Sequence, residues 1–453
     1  MTVGKKHKNS SKTISMPVVN PHAAGIDCGS KSHFVCVSQD NVKEFKSHTM
    51  GLNEIKNHLK VHGVKTVAIE STGFYWQQLF IILQSNGFEV FLVNARHIKN
   101  VKGHKTDIID SKWLQLLHSI GLLDNSFQPD FFTKELRQYV RHRRSLIETS
   151  SRYINKMNKS LVLMNIQLKT VLSDLSGNSG LNVIKAIVEG ERSPEELEKL
   201  VGKRIKATRD EILRALEGDW RNEHLFELAQ NYAAYLFTHN QIEQTDKQIE
   251  QLLLLWENKN GKEQLRNDYT KNKHRSPQKN DPKVDIRPFA YQMADGVDLS
   301  QIEGVSTNTI FTLMSETGFK LTEKFKTAKH FSSWLGFAPN RKITGGKTIS
   351  SHTATVQNPL SYALRQAANA AGNGKGRLGD FFRKIAFKNG RTAAIIATAR
   401  KIAVIIFKML ENKDAYSYDY SQVETERARN HQIRTIQKKI QKFHIKQEDL
   451  AIC

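Results

Sequence analysis

The sequence predicts an α/β domain followed by helices, an α/β plus α chain, and three observations carry that expectation. Short runs rich in Val and Ile alternate with helical patterns through the first quarter. From about residue 131 to 257 apolar residues then recur at helical spacing for many turns, and beyond about 290 shorter helical fragments and Ala-rich stripes follow.

Residues 1–21 are rich in Lys, Ser and Asn without periodicity and read as a mobile basic arm. Runs near 23–28, 33–38 and 42–47, with polar turns between them, predict three strands of an antiparallel meander. A helix is expected over 53–62, a strand over 65–70, a helix over 76–86, a strand over 89–94 and a helix over 107–120. Three strands, then alternating helices and strands with acids at the strand ends, is the order of a ribonuclease-H-like domain, here 22–125. That fold supports many phosphodiester chemistries, so it narrows the reaction class without naming it.

Leu136 to Ile166 and Asn222 to Trp256 carry long amphipathic patterns, with Pro194 the proline breaker between them. Helices of this length pair, so 126–257 is expected to form an antiparallel helical hairpin or coiled-coil arm, with 170–220 as additional helical material. The basic stretch Arg141-His142-Arg143-Arg144 suits either a phosphate backbone or a solvated helix face. Residues 258–289 are dominated by Asn, Lys, Asp and Gln and read as a polar basic linker. A mainly α domain is expected over 290–412, and 413–453 reads as a basic helical tail with Ile433, Ile436, Ile440 and Phe443 at helical spacing.

At 453 residues the chain needs more than one core. Its 68 Lys and Arg against 45 Asp and Glu give a net charge of +23. An excess of that size points to a polyanion, because Lys and Arg placed on phosphates release condensed counterions. No apolar run of about 18 residues and no signal-peptide pattern appears, so nucleic acid rather than a membrane is the expected partner, in the cytoplasm. The three cysteines, Cys28, Cys36 and Cys453, have no zinc-ligand spacing and fit a reducing compartment.

Four carboxylates organise the first quarter: Asp27 in Gly-Ile-Asp-Cys-Gly-Ser, Glu70 in Val-Ala-Ile-Glu-Ser-Thr-Gly, and Asp107 and Asp110 in Lys-Thr-Asp-Ile-Ile-Asp-Ser-Lys. Asp27 and Glu70 end apolar runs, where a strand delivers a side chain to the rim of a sheet. Asp107 and Asp110 are three apart at the head of a helical pattern and can share a face. Oxygen donors without Cys or His suit Mg²⁺ or Mn²⁺ and leave coordination positions for a substrate phosphate. The plainer reading makes them surface or capping carboxylates, with Asp107 as an N-cap.

Two further stretches bear on phosphate. Leu299 to Gly318 reads as two helical fragments around Gly304, either a helix-hairpin-helix whose backbone N–H groups meet phosphate or a plain packing unit. Ala338 to Thr353 reads as a polar, basic loop ahead of a helix over 359–371. Gly345 and Gly346 permit close backbone approach, Arg341, Lys342 and Lys347 supply charge, and Thr344, Ser350 and Ser351 supply hydroxyls. Phe331 to Phe337 is expected to pack. Downstream, Arg365, Arg383, Lys384, Arg391 and Arg400 recur among the helices, with Arg365 and Arg391 taken as nucleic-acid contacts.

Gly25-Ile-Asp27, Ile69-Glu-Ser-Thr-Gly73, Val93-Asn-Ala95 and Lys105-Thr-Asp-Ile-Ile-Asp110 together resemble the DEDD domain of the bacterial insertion-sequence transposases of the "one-ten" family, a RuvC-like, Holliday-junction-resolvase-like domain. Ala363 to Ala371, Gly379 to Lys384 and Lys388 to Ala403 resemble the same family's second domain. That family carries a Pro-x-x-x-x-Ser-Gly motif whose serine attacks DNA and becomes joined to it. Pro339 and Gly345 match, and Thr344 stands where the serine is expected. Threonine keeps the hydroxyl and adds a methyl that restricts χ1, so Thr344 is the first candidate nucleophile and Ser350 the second.

The resemblance implies a DNA transposase or recombinase of a bacterial mobile element, associated with the nucleoid. It implies Mg²⁺-assisted hydroxyl attack on a phosphodiester through a covalent protein–DNA intermediate. It further implies a composite site built from two protomers, a homo-oligomer up to a tetramer, and a structured bridge RNA that guides it to donor and target. Two other functions stay open at this point: a RuvC-like nuclease or resolvase with water as nucleophile, and a non-catalytic nucleic-acid-binding descendant of a transposase.

Overall fold

The computed structural model describes residues 17–71, 73–94, 106–202, 204–261, 269, 279–339, 342–350, 352–353, 356, 358–416, 433–434, 436–437 and 440–441, with Lys342 and Thr348 described by backbone alone. The chain divides into two compact units, Met1–Gln128 and Pro129–Cys453. Most of the expected basic arm and basic tail, and much of the expected linker, lie outside the described residues. So do Thr72, Ala95, Lys105, Arg341, Ser351 and Cys453.

In the first unit, β1 (Ala23–Cys28), β2 (Ser32–Ser38), β3 (Asn41–Lys46), β4 (Thr66–Glu70) and β5 (Glu89–Val93) form one mixed sheet in the order β3-β2-β1-β4-β5. The first three strands are the expected antiparallel meander, and β4 and β5 run parallel to β1. Helices α1 (Thr49–Val61), α2 (Trp76–Ser85) and α3 (Asp107–Ser119) surround the sheet. This is the ribonuclease-H-like order expected from the sequence.

Side-chain alternation along the strands separates two cores. Ala24, Ile26 and Cys28 of β1 and Val67 and Ile69 of β4 join one core with Ile55 and Leu59 of α1 and Leu79 and Leu83 of α2. On the other side, Ala68 of β4 and Val93 of β5 pack with Leu114 of α3. Central parallel strands bury both faces, which is why β1 and β4 read as continuous apolar runs. Cys28 and Cys36 are buried free thiols. His118 of α3 is buried as well, with its Nε2 2.8 Å from the Thr66 hydroxyl on β4.

In the second unit, α4 (Phe131–Leu163) and α9 (Asn222–Asn260) are the two long helices of the arm. They run antiparallel: the Phe132 ring lies 5.9 Å from Trp256 near one end, and Arg143 is paired with Asp246 further along. Leu136, Arg143, Ser150 and Met157 are buried at seven-residue intervals on α4, as are Leu228, Tyr235, Ile242 and Ile249 on α9. The segment between them forms α5 (Leu168–Val171), α6 (Asn178–Glu189), α7 (Pro194–Glu198) and α8 (Arg209–Leu216), which close a separate core with Met157, Leu161, Leu228 and Tyr235. Pro194 opens α7 in its first turn, where its missing N–H has no helical partner to lose.

The remainder is helical apart from one hairpin: α10 (Ile286–Met293), a 3₁₀ turn (Leu299–Gln301), α11 (Thr307–Thr317), α12 (Leu321–Lys324), α13 (Ala328–Trp334), β6 (Lys342–Thr344), β7 (Lys347–Ser350), α14 (Pro359–Gly372), α15 (Arg377–Asn389) and α16 (Arg391–Asn412). α16 is buried along Ile402, Ile405, Ile406 and Phe407, and Phe407 meets Phe331 of α13 at 6.2 Å. Phe331 and Phe337 are therefore core residues, as expected.

The structure changes two of the sequence expectations and decides a third between its two readings. The Arg141–Arg144 stretch is neither wholly a solvated face nor free for phosphate. Arg143 is buried on Asp246, and Arg141 donates two 2.8 Å hydrogen bonds to buried Glu316 of α11. The expected linker is in part structured, because the Asn280 carbonyl accepts from Arg143 at 3.0 Å and the Lys283 N–H donates to Asp246 at 3.1 Å. Gly304 behaves as a packing glycine. Its φ is +80°, and an added Cβ would overlap the Ala367 carbonyl and Ala371 of α14. The fragment before it is a single 3₁₀ turn, and Glu303 accepts from the Leu378 N–H at 3.0 Å in the first turn of α15.

Candidate active site

The four carboxylates lie at one end of the first sheet. Residues Ala23 to Ile26 of β1 pair in parallel register with Thr66 to Ile69 of β4, so Asp27 and Glu70 are the next residues on neighbouring strands, about 5 Å apart along the sheet. Both are half-buried. Alternation sets their face. Gly25 touches α3 and Ala68 belongs to the core on the α3 side, so Asp27 and Glu70, each two residues on, point to that same side.

α3 then brings its own pair to this end. Its last residue, Ser119, accepts from the Val19 and Asn20 N–H groups, Gln115 donates to the Ala23 carbonyl at 3.3 Å, and Ser111 and Gln115 lie on Gly25. The helix thus runs antiparallel to β1. From Ser111 back to Asp107 is about 6 Å of helix rise, and from Gly25 on to Asp27 is about 6.5 Å of strand. Asp107 and Asp110 therefore stand at the level of Asp27 and Glu70. Asp107 is exposed and Asp110 half-buried.

Asp107 is not the N-cap that the plainer reading made it. Thr106 takes that role, its hydroxyl accepting from the Ile109 N–H at 3.3 Å, which leaves the Asp107 carboxylate outside the cap. Charge concentration at this end is felt by a neighbour. Burial first, then the negative charges of Asp27 and Glu70, push the Cys28 thiol far above its ordinary range. Cys28 is accordingly a packed thiol and no nucleophile.

Four carboxylates with no soft donor have the chemistry of a Mg²⁺ or Mn²⁺ site, and in that sense the residues fit such an ion. Among the described residues no three His, Cys, Asp or Glu groups close on one point. Phe74, Tyr75, Ile108 and Ile109, each next to or within a few residues of a carboxylate in sequence, are all exposed. Sequence reasoning had not singled them out.

The stretch read as a basic loop is a β-hairpin. Thr344 pairs with Lys347 across Gly345 and Gly346, whose φ values of +55° and +75° give the two-residue turn that hairpins favour. Nothing lies within 4 Å of a Cβ built at either glycine, so the turn projects into open space. Thr344 is exposed at its tip, beside exposed Ile343 and Lys347. Ser350 is half-buried on the other arm, where its Oγ accepts from the His352 N–H at 3.4 Å. Three residues of strand, roughly 10 Å, separate Ser350 from the tip. The two hydroxyls therefore do not serve one phosphate in the same pose. The glycine pair was the signal that could have found the hairpin.

Of the other expected nucleic-acid contacts, Lys342 has no described side chain and Arg341 is not described. Arg365 is half-buried with its guanidinium 5.8 Å from the Phe337 ring, so it also packs. Arg391 is exposed at the head of α16 and donates to Asn369 at 2.7 Å.

Comparison with known families decides what this arrangement belongs to. A family model described as a transposase, the DEDD transposase of IS110, matches residues 24–166. A second, described as "Transposase IS116/IS110/IS902 family", matches residues 298–382. The chain belongs to the IS110 family of transposases. The first match contains all four carboxylates of the transposase and the second contains its hairpin, so both candidate regions fall inside the matched ranges. No curated protein matches the chain. The protein is a DNA transposase/recombinase, and no described helix of it is long and apolar enough to cross a membrane.

Proposed function

We propose that this transposase cuts and rejoins DNA through a covalent intermediate formed on Thr344. The observation that carries the reading is the hairpin itself, which holds a hydroxyl at an exposed tip where a DNA backbone can meet it. The Thr344 hydroxyl gives up its proton and forms a bond to phosphorus while the bond to one DNA oxygen breaks. That oxygen takes up the proton and leaves as an alcohol, and the free hydroxyl of a second, likewise cleaved strand later attacks the Thr344 phosphoester, joining the two strands and returning the proton to Thr344. Phosphoester bonds are conserved, so no ATP is required.

Asp27, Glu70, Asp107 and Asp110 would hold a divalent cation, Mg²⁺ in the first instance, which when bound stabilises charge on the scissile phosphate. Lys347 and Arg391 contribute cations near the tip and on the following helices, and Arg341 and Lys342 continue that charge along the sequence. Gly345 and Gly346 keep the tip free of side chains so that backbone can approach phosphate. In line with the family resemblance, we include a homo-oligomer paired through the arm, catalysis shared between protomers, a guide RNA, and a cytoplasmic, nucleoid-associated location.

A second reading has a specific observation behind it. Thr344 is exposed, so solvent reaches the position where the phosphate would sit, which suits water as the nucleophile and a resolvase-like hydrolysis. Strand transfer on DNA spanning the element's joined ends separates the two. Thr344→Ala is expected to abolish transfer while DNA binding persists, and Thr344→Ser to retain it. Hydrolysis at the normal rate by Thr344→Ala would support water.

A further inference from the structure

Phe387 of α15 is 93% exposed, the most exposed large apolar side chain of the described residues. α15 has a buried side, Leu378 and Phe382, that packs into the domain. Phe387 lies off that side, with Lys384 one turn before it and Lys388 next to it, both exposed. Among the described residues the charge there is uncompensated. Asp380 is taken up by Arg383 at 2.6 Å, and Arg383 also donates to the Gly372 and Gly374 carbonyls. Lys384 and Lys388 have no carboxylate partner among the described residues. One turn onward stands exposed Arg391, across Gly390, whose φ of +83° is set in open space.

We infer that Phe387, with Lys384 and Lys388, is a stacking platform for an unpaired base of single-stranded nucleic acid. An exposed aromatic flanked by two lysines with no carboxylate partner among the described residues is complementary to a nucleotide. The ring offers its face to a base, and the ammonium groups reach the phosphates on either side. An apolar protein partner would call for a contiguous patch, whereas here the ring's helix neighbours are charged. A base already stacked in a duplex has no free face, so the occupant is an unpaired segment of RNA or of displaced DNA. The inference goes beyond the hairpin chemistry, since α15 needs no part in bond exchange to hold a strand.

The test uses the full-length protein and fluorescein-labelled single strands of DNA and of RNA, together with a duplex of the same sequence. Phe387→Ala should weaken single-strand affinity on the order of tenfold, Phe387→Tyr should restore it, and duplex affinity should change much less. Lys384→Ala with Lys388→Ala should weaken binding and flatten its salt dependence. In Phe387→Trp, quenching of the indole by the RNA or by the DNA strand would support the platform and say which it holds. Unchanged single-strand affinity in Phe387→Ala with no quenching in Phe387→Trp would overturn it. So would a change in oligomeric size in Phe387→Ala at unaltered nucleic-acid affinity, which would assign the ring to a protein contact.

Discussion

Gly25 of β1 lies directly on the backbone of Gln115 in α3: a Cβ at Gly25 would come within 2.9 Å of the Gln115 Cα and would overlap the Gln115 nitrogen and the Ser111 carbonyl. That contact fixes the height of α3 above the sheet, and with it the distance between the Asp27–Glu70 pair and the Asp107–Asp110 pair. Gly25→Ala should therefore act twice. It should cost about 1–3 kcal/mol by overpacking, seen as a lower denaturation midpoint, and it should weaken divalent-cation binding measured by calorimetry. A variant with native stability and native cation affinity would show that this close approach does not position the carboxylates.

The carboxylates give the second prediction. Asp27→Asn and Glu70→Gln should each remove DNA cleavage while leaving DNA affinity within about twofold, because charge neutralisation at this end does not touch the basic surface. Chelation with EDTA should stop cleavage by the unaltered protein, and added Mg²⁺ should restore it. Gel assays of cleavage and binding in parallel provide the check, and cleavage at the normal rate by either variant would remove the metal assignment.

How much of this was legible in the sequence differs by level. The strands announced themselves, because β1 and β4 are buried on both faces and each carries an acid at its C-terminal end, Asp27 one residue before the end of β1 and Glu70 as the last residue of β4. The pairing of Asp27 with Glu70 needed the parallel register, which no local pattern encodes. The hairpin was overlooked because β6 and β7 are only three and four residues long, and its glycine pair suits phosphate approach as well as a turn. Arg141 and Arg143 looked like surface charge because their partners lie far off in the chain, Glu316 and Asp246. The seven-residue series Leu136, Arg143, Ser150, Met157 was nonetheless present, and it placed Arg143 on the buried seam.

That seam leads to a third prediction. Arg143 and Asp246 are 4% and 2% exposed, and removing one partner strands a buried charge. Asp246→Ala should destabilise the second unit by about 3–5 kcal/mol. The double variant Arg143→Met with Asp246→Leu should recover much of that loss, as read from urea denaturation. A cost below about 1 kcal/mol for Asp246→Ala would mean that the pair is solvated in solution.

The fourth concerns pH. Burial lowers His118 from its ordinary value to about 4, and burial lowers His33 as well. With the folded pKa below the unfolded one, the unfolded chain binds more protons between about pH 4 and 6.5. The stability contributed by neutral His118 is therefore complete above pH 6.5 and is lost as pH falls toward 4, on the order of 2–3 kcal/mol. Thermal melts at pH 5 and pH 7 should show this loss, and His118→Gln should reduce the difference between them.

The most direct test of the account is to find where the protein joins DNA. The purified transposase, Mg²⁺, DNA spanning the joined ends of its element and RNA transcribed from the adjoining non-coding sequence are combined, denatured and digested, and the DNA-linked peptide is identified by mass spectrometry. The account predicts a single linked peptide with the phosphoester on Thr344. Linkage at Ser350 or Ser351 would move the nucleophile off the hairpin tip, and cleavage without any linked peptide would contradict the covalent mechanism.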